Sequence, residues 1–452
     1  MRAYPIAFLL ALALIRLPLS SQADAVIAFT NGRWFDGKSF QTRTTYSVNG
    51  TLSFTEPARI DRMIDLSGTW VVPPFAEAHN HNIDGAVEER SLAAIRKYVA
   101  DGVFYVKIQG NYPLSDQQRG RLPINRPGAP DVAFAQAFIT ATGGHPSVLH
   151  EEILLPQGYY PGIAKEQLRD KVYFTIDTED EVAAKWPRIL AQRPDFIKTN
   201  LWRSDEFERR RHDPAFAGRK ALDPRLLRLI VERAHAAGLR VSAHIVNRAD
   251  FRAAVTAGVD ELVHTPAAGA FSSVEERVSQ IVTNRLDEAG IRQIAADLGR
   301  LDPEDPSTLR LRREDATLAA ERGTVVVTTL NVSTRAPAPL LPLIRAVQSA
   351  SIRALVDGGV TLAIGSDNIG DSSVLEAEHL HSLGVVDTLA LLKIWTEDTP
   401  RSIFPQRRIG FLRDGYEASF LALEGNPLDD WRNVRRIKLR FKQGVEVHPS
   451  DR

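Results

Sequence analysis

The 452-residue sequence contains no cysteine. That excludes disulfides, thiol nucleophiles, lipid attachment at a cysteine and zinc–thiolate sites. Any metal must be held by histidine, carboxylate or another oxygen ligand. A chain of this length needs no disulfide to hold a core. Net charge is missing too, because 56 Lys and Arg balance 56 Asp and Glu. No global field would draw in nucleic acid or an anionic membrane. The local basic run at 435–442 partly alternates charged and apolar residues and reads as a solvated strand face. Beyond the N-terminus no apolar run is long enough to span a bilayer. Internal repeats are absent as well.

What is present begins with an export signal. Met1 and Arg2 give a positive start, residues 7–15 are apolar, and Ala23-Asp24-Ala25 is an A-x-A site. The pattern predicts a signal peptide over 1–25, cleaved after Ala25 or Ala23, and a secreted or periplasmic protein. Residues 26–72 read as short strands, 26–29 and 44–48 among them, with Asn49-Gly50 as a hairpin turn. From 73 to 407 strands alternate with helical segments such as 87–100 and 225–237. Eight strands are expected, at 75–79, 103–108, 132–140, 195–200, 239–244, 261–264, 325–330 and 362–366. Alternation of this kind implies a parallel sheet covered by helices, and eight strands suit an α/β (β/α)8 TIM barrel. Long insertions follow four strands, at 111–131, 143–172, 201–222 and 265–317; the second is expected to be a long loop and the fourth a charged helical stretch. From 408 to 452 strands return, at 409–410, 418–423 and 434–441. They could pair with 26–72 so that both chain ends form one small β-sandwich.

The chemistry sits at the strand ends. The stretch 71–81 closes on His79-Asn80-His81, and positions i and i+2 of a strand share a face. Later strands end in Lys198, His244, His264 and Asp367. In a closed parallel barrel all these ends surround one opening. Four histidines and an aspartate exceed what one tetrahedral ion needs, so two divalent ions fit better. A lysine held neutral can take up CO2, and the resulting carbamate can bridge two ions. Burial and neighbouring cations favour the neutral amine. Other histidines, at 150, 212, 235, 379, 381 and 448, read as surface or packing residues.

The motifs Val-Val-Pro-Pro-Phe-Ala-Glu-Ala-His-Asn-His (71–81), Phe-Ile-Lys (196–198), Val-Ser-Ala-His (241–244), Leu-Val-His (262–264) and Ala-Ile-Gly-Ser-Asp (363–367) resemble the amidohydrolase superfamily. Within it they are similar to the carboxylated-lysine binuclear subtype, prolidase-like or imidazolonepropionase-like. The resemblance implies a metal-dependent hydrolase on a barrel with a small β-sandwich. It implies that His79, His81 and Asp367 hold one ion, that His244 and His264 hold the other, and that carboxylated Lys198 bridges them. Zinc is the usual metal. A metal-bridged hydroxide would attack a C–N amide bond while Asp367 moves the proton to the leaving nitrogen. Thr142-Gly143-Gly144-His145 resembles a loop of prolidase-like members and makes His145 a candidate substrate-binding residue. Asn247 stands where deaminating members carry the Glu of H-x-x-E, which favours amide hydrolysis over deamination.

The expected substrate is therefore a dipeptide or N-acyl amino acid. A lactonase or phosphotriesterase on the same site is the second enzymatic reading. A catalytically inactive binding protein is the third. Tyr159, Tyr160, Trp202 and Arg203 are specificity candidates because they lie on strand-end insertions. The sequence is compatible with a homo-oligomer.

Overall fold

The structure, a computed structural model, describes residues 25–266, 311–336 and 338–449. The expected signal peptide, apart from Ala25, and most of the 265–317 insertion lie outside the described residues.

The chain opens with β1 (Ile27–Phe35), β2 (Phe40–Val48), β3 (Thr51–Ser53), β4 (Arg62–Asp65) and β5 (Trp70–Val72). Asn49 and Gly50 both take positive φ, which turns β2 into β3 with Val48 opposite Thr51. The middle of the chain supplies β6 (Phe75–Asn80), β7 (Val103–Ile108), β8 (Asp131–Phe134), β9 (Phe138–Thr140) and β10 (Tyr173–Thr175). It continues with β11 (Ile197–Asn200), β12 (Val241–His244), β13 (Glu261–Val263), β14 (Val325–Thr328) and β15 (Leu362–Ile364). The last strands are β16 (Phe420–Leu423), β17 (Ile437–Lys442) and β18 (Val445–Glu446).

Strands from both chain ends share one sheet. β16 pairs antiparallel with β5, giving the order β18-β17-β16-β5-β1-β2-β3, with β4 on β1. The middle strands form two parallel sheets, β6-β7-β8 and β10-β9-β11-β12-β13-β14-β15. The result is a mixed α/β fold. Parallel neighbours need long crossovers, and helices such as Glu88–Ala100, Glu179–Ala191, Pro224–Ala236, Arg248–Ala257 and Leu341–Asp357 supply them. Pro224–Ala236 shows why they form where they do. Asp223 caps its first turn, and Leu226, Leu227, Ile230, Val231 and Ala234 bury one stripe.

Three expectations need correction. The strand expected at 132–140 is broken into β8 and β9 at Gln136, whose φ is 63°. The buried Gln136 amide accepts from the Leu114 N–H at 3.2 Å and donates to the Gln192 carbonyl at 3.0 Å, which anchors the kink. The stretch 143–172 is not a plain loop, since it carries the helical turns Leu149–Leu154 and Lys165–Gln167 and leads into β10. Residues 409–410 form a bend rather than a strand, with Gly410 at a φ of 80°.

The first and last strands of the two parallel sheets meet at their C-terminal ends. The Asp367 N–H donates to the His79 carbonyl at 2.9 Å. A Cβ at Gly365 would stand 2.5 Å from the His79 Cβ, so the approach requires glycine there. Below this point Phe75 stacks on Trp395 with centroids 3.7 Å apart, and the Trp395 indole donates to the Ala76 carbonyl at 3.1 Å. β6 is thus held from both sides.

A second buried knot joins the shared end sheet to the parallel strands. The 435–442 run reads as a solvated face, yet Lys442 on β17 is fully buried. Its Nζ lies 2.7 Å from Asp131 Oδ2 on β8, and Arg407 Nη2 lies 2.7 Å from the same oxygen. Removing the shared anion leaves two cations facing Glu417 alone. Asp131→Ala is expected to cost about 3 kcal/mol and to lower the thermal midpoint in calorimetry. Lys438→Ala, on an exposed position of the same strand, should leave the midpoint within about a degree. Equal midpoints for parent and Asp131→Ala would remove this role.

Candidate active site

β6 carries His79 within the strand and releases His81 just beyond it. His79 Nε2 lies 3.2 Å and His81 Nε2 3.4 Å from Asp367 Oδ1. One ligand atom from each of the three falls within 4.8 Å of the others. Asn80, between the histidines, turns the other way. Its amide donates to Ser366 Oγ at 2.8 Å, and its oxygen accepts from the His81 and Asn82 N–H groups at 2.7 and 2.9 Å. Beneath it, buried Glu77 accepts from the backbone N–H groups of His79 and Ser366. Burial pushes the Glu77 carboxyl up to about 8.

The other side chains come from neighbouring strand ends. Lys198, on β11, is 1% exposed, and its Nζ has no hydrogen-bond partner among the described residues. His244 ends β12, and its ring lies 4.6 Å from that of His264, just past β13. His264 in turn lies 4.9 Å from His79. His145 packs 4.7 Å from His244 and 4.8 Å from Trp202. His79, His81, His145, Lys198, His244, His264 and Asp367 all line one cavity of about 530 Å³. Only His79, His81 and Asp367 share a single ligand-sized shell among the described residues; His244 and His264 stand outside it.

Two hydrogen bonds fix imidazole orientation. His81 Nδ1 donates to the Gly110 carbonyl at 2.7 Å, which leaves its Nε2 with the lone pair. His264 Nδ1 pairs with Thr329 Oγ1 at 2.6 Å. Two of the site residues, His264 and Asp367, have left-handed backbone, with φ values of 76° and 50°.

Burial sets the charge states. It pushes the Lys198 ammonium down to about 7, against the attraction of Asp367 and Glu261. It pushes His79 down to about 4 and His145 to about 3, and holds His244 and His264 well below the usual imidazole range. For Asp367 burial acts upward, but the His79 and His81 imidazoles outweigh it and hold the carboxyl well below its ordinary range. The site thus combines neutral nitrogen donors, a lysine poised to be neutral and an ionised carboxylate.

This donor set fits divalent metal. Buried polar atoms are rarely left without a partner, yet Lys198 Nζ and His244 Nε2 are both buried and unpaired among the described residues. Neutral imidazole and carboxylate are the donors that zinc and similar ions take.

Several cavity residues escaped the sequence reading. His150 is a buried wall of the cavity, its Nδ1 bonded to the Tyr160 hydroxyl, and burial pushes it down to about 3. Arg90 also lines the cavity. Neither carries a motif; only the folding back of the 143–172 insertion brings His150 in. Tyr159, Tyr160 and Trp202 line the cavity, whereas Arg203 is not among the lining residues and pairs with Glu206 at 3.0 Å. Asn247 serves the fold. It accepts from the Asp250 N–H at 2.9 Å, capping the helix Arg248–Ala257, and donates to Asp205.

Comparison with known proteins agrees with this picture. No family model matches the chain. A curated ochratoxinase of Aspergillus niger is 30% identical over 220 residues, 48% of this chain and 38% of that protein. The matched stretch therefore spans well under half the length of that relative. The crystal structure of A. niger ochratoxinase superposes with a TM-score of 0.67 at 19% identity, covering 94% of this chain and 98% of the other. A Xaa-Pro dipeptidase with bound methionine gives a TM-score of 0.64 at 19% identity, over 94% and 100%. Molinate hydrolase gives 0.65 at 15%, over 94% and 95%. At such identities the likeness speaks for the fold. The chain shares its fold with these structures, an ochratoxinase, a Xaa-Pro dipeptidase and molinate hydrolase among them.

Proposed function

We propose that the chain is an exported, metal-dependent amidohydrolase that cleaves the C–N amide bond of a dipeptide or an N-acyl amino acid. The observation that carries the reading is the meeting of His79, His81 and Asp367 beside an unpaired, buried Lys198 in one cavity. A Xaa-Pro dipeptidase among the structural neighbours agrees with it. In this reading the two parallel sheets act as one closed (β/α)8 barrel over 73–407. Residues 26–72 and 408–452 make the small β-sandwich, and residues 1–25 are the cleaved signal.

His79, His81 and Asp367 would hold one divalent ion, His244 and His264 a second, with Lys198, carboxylated, between them. Two ions bound there, zinc by preference, supply positive charge that acidifies water and polarises a carbonyl. The protein's own groups do the rest. Asp367, ionised at neutral pH, takes the proton of the attacking water and returns it to the departing nitrogen. His145, neutral and packed against both His244 and Trp202, is placed to donate to a substrate oxygen. The tyrosine-rich insertion walls the cavity and excludes water from the developing charge.

Stripping metal with a chelator should abolish hydrolysis, and two equivalents per chain should restore it, counted by atomic emission. Asp367→Asn is expected to lower kcat by about 10³-fold with unchanged circular dichroism; full activity in that variant would refute its role. A panel of dipeptides, N-acyl amino acids, lactones and a phosphotriester separates the amidase reading from a lactonase or phosphotriesterase.

Reloading should depend on pH in a defined direction. Lys198 must be neutral to take up CO2, and its ammonium form predominates below about 7. His79 remains neutral down to about 4, so it does not contribute between pH 6 and 8. Recovery of activity by stripped protein given zinc and bicarbonate should slow about tenfold per pH unit below 7. A recovery rate flat from pH 6 to 8 would contradict the assignment.

A further inference from the structure

The cavity is polar at the histidine end and apolar at the other. Tyr112, Phe138, Leu149, Leu154, Tyr159 and Tyr160 wall the apolar part. Arg90 stands among them and is the only arginine lining the cavity among the described residues. Its guanidinium lies over the Tyr159 ring, 4.4 Å from the ring centre, and Nη2 donates to the Tyr159 carbonyl. Its Nε is buried with no acceptor among the described residues. Asp84 comes only to 3.8 Å from Nη2. Asp84, which also lines the cavity, is turned to its own loop by Oδ1, which accepts from the Ala86 and Val87 N–H groups at 2.7 and 3.1 Å, and it is Oδ2 that faces Arg90 at that longer distance.

A guanidinium in an apolar wall with an idle buried donor costs stability unless an acceptor completes it. Its planar fork matches a carboxylate better than any other small anionic group in a peptide. The surrounding rings offer area to a bulky apolar side chain. We propose that Arg90 is a specificity-determining residue that binds the free carboxylate of an amino-acid moiety whose apolar or aromatic side chain rests on Tyr112, Phe138 and Leu154. The carboxylate lies outside the scissile amide, so Arg90 selects substrate without entering the bond change. The proposal rests on the amidohydrolase reading for the bond that is cut, though not for the binding itself.

Among the described residues Lys198 is the other basic side chain that lines the cavity besides the histidines, and it could attract the same group, so the test must tell them apart. Calorimetric titration of metal-stripped full-length protein with N-acetyl-phenylalanine and with its carboxamide does so without turnover. The parent is expected to bind the acid about tenfold more tightly than the carboxamide or better. Arg90→Met should lose that preference and keep the carboxamide affinity within about twofold. Arg90→Lys should retain part of it. If Arg90→Met does not fold, Arg90→Gln, which keeps a donor for the Tyr159 carbonyl, is read in the same way. Equal affinities in the parent overturn the proposal. So does a preference that survives in Arg90→Met, or an equal loss of both ligands, which is the signature of a merely structural arginine. Should the preference behave as expected while metal-loaded parent fails to cleave N-acyl amino acids, the carboxylate subsite stands and the proposed hydrolysis falls.

Discussion

The contact between β6 and the end of β15 is the constraint on which the rest depends. His79 and Asp367 come from opposite ends of the parallel part of the chain, and one backbone hydrogen bond at 2.9 Å joins them. Gly365 makes the approach feasible, because any Cβ there would collide with the His79 Cβ and backbone. Once the two strands lie this close, their side chains must face one another, and the carboxylate falls between two imidazoles. Glu77, Asn80 and Ser366 then lock the junction from below with buried hydrogen bonds. The same arrangement that aligns the last strand with the first therefore assembles the three-residue shell.

The site around that shell is electrostatically demanding. A buried lysine, four histidines and an aspartate would ordinarily disfavour folding, since desolvation penalises each charged form. The protein responds by neutralising most of them. The imidazoles of His79, His244 and His264 are held neutral, and Lys198 stands near the point of losing its proton. Asp367 alone is driven the other way, because its neighbours are potential cations. Neutral nitrogen bases and one firm carboxylate are a ligand set; they are a poor stability device, which argues that the cost is retained for chemistry.

The parts of this design that were legible in the sequence are those written in short local patterns. The i, i+2 histidine pair, the strand-ending lysine and the Gly-Ser-Asp turn each announce themselves because strand periodicity fixes where they point. Strand positions followed for the same reason: apolar runs bounded by Gly, Pro and Asp read as strands. The break at Gln136 was not legible, because the left-handed φ is stabilised by partners at Leu114 and Gln192, far along the chain. Lys442 looked solvated because its partner Asp131 belongs to another sheet. His150 and Arg90 lack any motif, and their place in the cavity depends on how an irregular insertion folds back.

This division has a physical origin and a consequence. Reactive groups sit on strand ends, where the sheet fixes the backbone within a narrow range, so their spacing is recorded in the sequence. Apart from Phe138 on β9, the apolar wall sits on insertions and on the first turn of the helix Glu88–Ala100, where side chains are held by packing and by contacts such as Arg90 over Tyr159. Substitutions on those insertions can reshape what fits the cavity without moving His79, His81 or Asp367, because the pairings of β6 with β7 and of β14 with β15 do not involve them. Proteins that share this scaffold at 15–19% identity can therefore differ in substrate while keeping the same strand framework. In the proposed reading, selectivity rests on the wall around Arg90, Tyr112 and Phe138, and the histidines bear on the chemistry of the bond alone.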